Sequence, residues 1–316
     1  MILRRWLKKS CQTMDQTYHD PVLLQESVNG LAIEPDGVYV DVTFGGGGHS
    51  REILSRLGQQ GKLYAFDQDP DAQRNVIDDP RFTLIPENFR YMRRFLRLHG
   101  VRQVDGILAD FGVSSHQFNE ASRGFSIRFD ADLDMRMNHK AGKTARELIN
   151  KLPEQRIAQI LYDYADLRSA PKMARTIVAA RKEQEIKTSE DLKQVLSSFL
   201  PQHRENKVLA QVFQALRIEV NDELEVIREF LEQCNQVLKD GARLSVISYH
   251  SLEDRMVKRW MRDGQLEGKP ETDLFGRVQL PYKKVGGLIV PGEQELARNN
   301  RSRSARLRIA TRTIHD

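Results

Sequence analysis

An α/β fold, built on a doubly wound parallel sheet and interrupted by a helical insertion, is what this sequence predicts. Three observations carry the prediction. Short apolar runs alternate with helix-patterned segments as far as Asp110, which is the mark of successive βαβ units. Strand patterning then vanishes from about 115 to 210. It returns with a long amphipathic helix from Asn221 to Leu238 and the run Arg243-Leu244-Ser245-Val246-Ile247.

The elements follow in order. Val38-Tyr39-Val40-Asp41-Val42 reads as a short buried strand, followed by Gly45-Gly46-Gly47-Gly48 and a helix over Arg51–Leu57 stopped by Gly58 as C-cap. Lys62–Phe66 is a second strand ending at Asp67, and Arg81–Ile85 a third, backed by a basic helix from Asn88 to His99. Gly106-Ile107-Leu108-Ala109 is a fourth strand, ending at Asp110. Within the insertion, Ile157, Ile160, Leu161 and Tyr164 repeat at helical spacing inside Glu154–Ala165. Lys172–Arg181 and Asp191–Leu200 read likewise, the latter capped by Thr188 or Ser189. Gly264–Asn300 reads as loop with one short strand. Ala305–Ala310 alternates with period two and reads as an edge strand turning arginines to solvent. The expected organisation is a tail at 1–16, a discontinuous sheet domain at 17–114 and 211–316, and an inserted helical domain at 115–210.

Composition narrows the class. The chain has 316 residues and a formal charge of +5, which is room for a large core and more than one domain. No apolar run approaches the roughly eighteen residues of a membrane-spanning helix, so no membrane role is expected. Cys11 and Cys234 are too few for a disulfide framework or a four-cysteine zinc site, and a reducing cytoplasmic location is expected. The basic start, Met1 to Lys9, lacks the apolar stretch of about seven to fifteen residues that a secretory signal needs. It reads as a tail, with Met14 just ahead of the first patterned segment.

Glycines directly after the first strand allow close approach to a nucleotide cofactor at a helix N-terminus. A tight turn is the bland alternative. Asp67, twenty residues beyond Gly47, stands where a carboxylate accepts from ribose hydroxyls, which favours the cofactor. A Walker loop is excluded because no Gly-Lys-Ser/Thr follows, and Ser50 stands where the dehydrogenase fingerprint has its third glycine or alanine.

Thr43-Phe44-Gly45-Gly46-Gly47-Gly48-His49-Ser50 resembles the first motif of a bacterial ribosomal RNA methyltransferase family, known as RsmH or MraW. Four further stretches are similar to the same family: Asp110–Ser115 with Gln117, Arg123–Ser126 with Leu133–Met137, Ser248–Arg255, and Asn300–Ala305. Together they run from about His19 to Arg312. The resemblance implies a class I S-adenosylmethionine methyltransferase sheet (Rossmann-like) with an inserted helical substrate-recognition domain. It implies methylation of the exocyclic N4 of a cytidine in 16S ribosomal RNA, at the P-site decoding region, with S-adenosyl-L-methionine as cofactor and the small ribosomal subunit as partner. A homodimer is left open. The implied cofactor contacts are Gly47, Gly48, His49, Asp67, Phe89, Asp110 and Gln117, with no metal. Gly46, His116 and Val42 depart from the family's pattern, where arginine, proline and a small residue stand in many members. His116 adjoins Gln117 and puts that side chain's pose in question.

The chemistry gives Asp110 two readings. The cytosine amino nitrogen is a poor nucleophile because its lone pair is delocalised into the ring. An acceptor for its hydrogens favours a pyramidal, more nucleophilic nitrogen, and Asp110 at a strand's carboxyl end is the catalytic candidate. The other reading has Asp110 bind cofactor only. His250, just past a strand, is a candidate substrate contact or a structural histidine. Asp130, Asp132 and Asp134 lack the glycine and glutamate of a calcium loop and read as arginine-paired. Arg90, Arg94 and Arg97 share a helix face, and Arg298, Arg301, Arg303, Arg306 and Arg308 form a second basic stretch, both suited to phosphate. A non-catalytic RNA-binding or assembly factor that kept the fold is the alternative function. A DNA amino-methyltransferase fits worse, since Asp110-Phe111-Gly112-Val113 lacks the expected Pro-Pro-aromatic.

Overall fold

The computed structural model describes residues 21–268, 270 and 278–314; the expected tail at 1–16, and Cys11 with it, lies outside the described residues. Seven strands form one sheet: β1 Val38–Asp41, β2 Lys62–Phe66, β3 Phe82–Ile85, β4 Val104–Asp110, β5 Leu238–Ser248, β6 Tyr282–Lys284 and β7 Arg306–Arg312. Their order is β3-β2-β1-β4-β5-β7-β6. β1 to β5 pair in parallel, while β7 runs antiparallel to both neighbours. This is the doubly wound α/β sheet that the sequence predicts, closed at one side by an antiparallel pair. The strand order reverses between β1 and β4, so a crevice opens there at the strands' carboxyl ends.

Apolar residues bury the sheet on both faces. One face packs Val40, Phe66, Ile107 and Leu244 against Phe230, Leu231 and Cys234 of the helix Glu223–Val237. The other packs Tyr39, Leu63 and Leu108 against Val28 and Ile53. Near-continuous apolar strands are what a sheet covered on both faces requires. The segment between β4 and β5 builds its own core from Phe125, Leu133, Ile157, Leu161, Met173 and Phe213, among others.

Three expectations are corrected. β7 is an interior strand between β5 and β6, not an edge. Alternation reads the same in both places; here Arg308 is held against Asp254, while Arg306 reaches the same carboxylate and stays exposed, as expected. Gly58 is not a C-cap: the helix Gly48–Arg56 ends where Leu57 turns extended (φ −80°, ψ 141°). The Gly58 N–H instead donates to the Pro35 carbonyl at 2.7 Å. The boundary drawn at 210 falls inside the helix Glu205–Asn221, whose Val212, Phe213 and Leu216 belong to the insertion's core. That helix breaks only at Asp222, in the left-handed region at φ 53°.

Candidate active site

The crevice is built from the loops after β1, β2, β4 and β5. Two hydrogen bonds stitch the first three. The Asp110 N–H donates to Thr43 Oγ1 at 2.7 Å, and the Gly45 N–H donates to Asp67 Oδ2 at 2.7 Å. Gly47 takes φ 76° to start the helix Gly48–Arg56, a conformation that costs glycine little. A Cβ on Gly45 would meet nothing nearer than Ser114 Cβ at 3.8 Å, and one on Gly112 nothing nearer than Tyr249 at 3.6 Å. The carboxyl ends of β1 and β4 thus leave a cradle between them.

Three carboxylates surround it. Burial pushes Asp41, Asp67 and Asp110 each up to about 6. Asp41 is fully buried, accepting from Ser50 Oγ at 2.7 Å and from the Thr43 N–H. Asp67 accepts two backbone N–H groups, from Gly45 and Asp69, which only partly offset its burial. The Tyr249 hydroxyl donates to Asp110 Oδ1 at 2.8 Å. His49 Nδ1 lies 4.0 Å from Asp110 Oδ2. Burial lowers the His49 pKa, so its ring is neutral, and Nε2 sits 3.2 Å from the Val22 carbonyl. A nitrogen facing a carbonyl must carry the proton, which leaves Nδ1 bare toward Asp110.

Gly47, Gly48, His49 and Asp110 therefore meet at one place, with Asp67 joined through Gly45. Phe89 stands further along the rim, in the turn Phe89–Tyr91 after β3. It is half-buried, with its ring 6.0 Å from Phe111 and 5.4 Å from Phe230. Asn88 caps that turn and donates to Gln68 Oε1 at 2.9 Å, tying it to the loop after β2. Gln117 is buried behind the crevice. Its Nε2 donates to Asp69 Oδ2 at 2.7 Å, and its Oε1 accepts the Ser114 N–H. The neighbouring His116 points away, 3.4 Å from Asp71, and leaves Gln117's pose intact.

Sequence reasoning missed several groups. Tyr249 follows β5 by one residue and reaches Asp110; only its place beside His250 hinted at this. His250, open between substrate contact and structural residue in the sequence, makes structural contacts here. Its side chain is largely covered, caps the helix Ser251–Asp263, and lies 3.0 Å from Glu253. Glu253, fully buried, accepts the N–H groups of Tyr249 at 2.7 Å and His250 at 3.2 Å, so it sets the turn that aims Tyr249. Arg123 was read only as part of a motif. It is buried and donates to Asp69, to Asp71, and to the carbonyls of Arg136 and Met137, which clamps the insertion onto the loop after β2. Asp134 pairs with Arg136, as expected for that acidic stretch.

The basic surfaces are partly spent. Arg90, in the turn Phe89–Tyr91 rather than on the helix Met92–Leu98 with the others, pairs with Glu229 at 2.7 Å and with Asp222, while Arg94 and Arg97 stay exposed on that helix. Among the described residues, no helix is long and apolar enough to cross a membrane.

A family described as the MraW methylase family matches residues 16–313. The protein named ribosomal RNA small subunit methyltransferase H from Christiangramia forsetii is 62% identical over 93% of this chain and 97% of its own length. Proteins of the same name from Flavobacterium johnsoniae and Bacteroides thetaiotaomicron are 58% and 57% identical, over 94% and 93% of this chain and 99% and 97% of theirs.

Proposed function

The chain belongs to the MraW methylase family, and from that premise we propose that it methylates the exocyclic N4 of one cytidine in 16S ribosomal RNA, in the P-site decoding region. The coarser activity, S-adenosylmethionine-dependent methylation of small-subunit ribosomal RNA, is that of its relatives by name. One observation carries the finer reading: a carboxylate at the end of β4, Asp110, is held by Tyr249 opposite the glycine loop at the sheet's switch point.

The residues present suit the cofactor. S-adenosylmethionine supplies a methyl group already activated on a cationic sulfonium. Cations fit a cradle walled by Asp41, Asp67 and Asp110, whose charges are otherwise disfavoured by burial. Gly47, Gly48 and His49 would line the loop, Asp67 would accept from ribose hydroxyls, and Phe89 would offer an apolar face to adenine. Gln117 would act from behind, by fixing Asp69.

For the acceptor, this chain's task is alignment and proton handling. Tyr249 donates to Asp110 Oδ1, which leaves Oδ2 to accept a hydrogen from the cytosine amino group. Accepting that hydrogen localises the nitrogen lone pair, and Asp110 then takes the proton that the methylated amine sheds. Carbon-5 methylation needs a thiolate nucleophile, and Cys234 is fully buried in the sheet's core, its thiol pushed well up by burial. The helical insertion, clamped by Arg123, would present the RNA with its target base unstacked.

The test is in vitro. Purified protein, isotopically labelled S-adenosylmethionine and small-subunit RNA are incubated, and the RNA is digested to nucleosides. Label in N4-methylcytidine supports the reading; label in another nucleoside, or none, overturns it.

A further inference from the structure

The tail arginines divide into two groups. Arg306 and Arg308 are spent on Asp254, at 3.1 and 2.7 Å. Arg301, in the turn Asn300–Ser304, faces no carboxylate among the described residues. Its guanidinium lies over the Phe118 ring, 4.8 Å from the centroid, and Nη2 donates to the side-chain oxygen of Asn119. Nη1 is buried and has no acceptor. The charge that bears on it is another cation: burial first, and Arg128 second, hold Arg301 below its ordinary value. Arg128 is exposed, and its guanidinium has no partner among the described residues.

Arg301 thus feels a second cation from a distant segment and no paired acid among the described residues, and its buried donor is left unmet. Both features cost free energy that a bound anion offsets. Phe118 and Asn119 hold the Arg301 plane fixed, which suits fork-like recognition of phosphate oxygens. The position is also right. Asn119 lies nine residues beyond Asp110, and Arg306, five beyond Arg301, pairs with Ser248 at the end of β5, next to Tyr249. Phe129 beside Arg128 is 44% exposed and offers a face for a base.

We propose that Arg301 and Arg128 form a phosphodiester-binding site that anchors the RNA strand at the rim of the crevice. This rests on the RNA methyltransferase reading above. Arg128 stands on the insertion, outside the cradle, so the anion is the RNA backbone rather than the cofactor's carboxylate.

The test measures binding of a synthetic small-subunit RNA hairpin carrying the target cytidine, at several salt concentrations. Full-length wild type is compared with Arg128→Gln and Arg301→Gln. Loss of one phosphate contact lowers the slope of log affinity against log salt by about 0.7 to 0.9. Each variant is expected to show that drop, with S-adenosylmethionine affinity unchanged. An undiminished slope in both variants overturns the site. So does lost cofactor affinity with unchanged RNA binding, which would assign the arginines to the cofactor. Arg128 is exposed and partnerless, so its variant reports even if Arg301→Gln misfolds. Failure of the wild type to bind RNA would sink the parent reading, and this site with it.

Discussion

Tyr249 donates its hydroxyl to Asp110 Oδ1 at 2.8 Å, across 139 residues of sequence. Burial holds the phenol's pKa well above its ordinary value, so it is always the donor, and Asp110 is always the acceptor on that oxygen. The bond stabilises the ionised carboxylate and opposes the burial that lifts Asp110 to about 6.

Asp110 should therefore show in the pH profile. On the proposed role, in which the charged carboxylate accepts the amino hydrogen, single-turnover rates should rise with pH and level off above an apparent pKa near 6. Tyr249→Phe removes a bond that lowers this pKa, so the limb should move to higher pH. The plateau should fall by roughly ten- to a hundredfold, the worth of a hydrogen bond to a charged group. A profile that is flat from pH 5 to 8 in the wild type would contradict this.

Asp110→Asn separates the two roles of that residue. The expected result is S-adenosylmethionine affinity within a few-fold of wild type and single-turnover transfer reduced by about a hundredfold or more at saturating cofactor. Lost affinity with transfer intact at saturation would make Asp110 a cofactor ligand only.

Glu253 links stability to acid. Its hydrogen bonds and His250 hold its folded value below the ordinary glutamate value, despite burial. The stabilisation is complete above the unfolded value and disappears as pH falls through the folded one. Glu253→Gln should therefore flatten the fall of denaturation midpoint between pH 5 and 3. Glu253→Ala, which strands the Tyr249 and His250 N–H groups, should cost about 3 kcal/mol at neutral pH by chemical denaturation.

Phe230 is fully buried between the sheet and the rings of Phe89 and Phe111. Phe230→Ala should cost about 3 to 5 kcal/mol. Because Phe89 leans on it, cofactor affinity should weaken too. Urea denaturation and calorimetric binding check the two effects separately.

Much of the fold was legible because it rests on local pattern. The apolar run Val38–Val42 and the runs ending at Asp67 and Asp110 located β1, β2 and β4, and the helix Glu154–Ala165 falls where its spacing put it. What was missed depends on neighbours that sequence does not order. Period-two alternation could not say that β7 is flanked on both sides, nor that Asp254 would take its arginines. The helix Glu205–Asn221 is continuous through 210 because its apolar stripe belongs to the insertion. At the site, the glycine loop, Asp67 and Asp110 could be read from strand ends. Tyr249 and Arg123 could not, because their partners lie 139 and 54 residues away and only the turns after β5 and β2 bring them together.

Methyl transfer to a cytidine N4 is decided on 16S ribosomal RNA from cells with and without this gene. The RNA is digested and read by mass spectrometry, and the modified position is mapped by fragment sequencing. N4-methylated cytidine should be lost at one P-site position and restored by the wild-type gene but not by Asp110→Asn. An unchanged nucleoside profile, with clear S-adenosylmethionine binding by the purified protein, would contradict it and point to another acceptor.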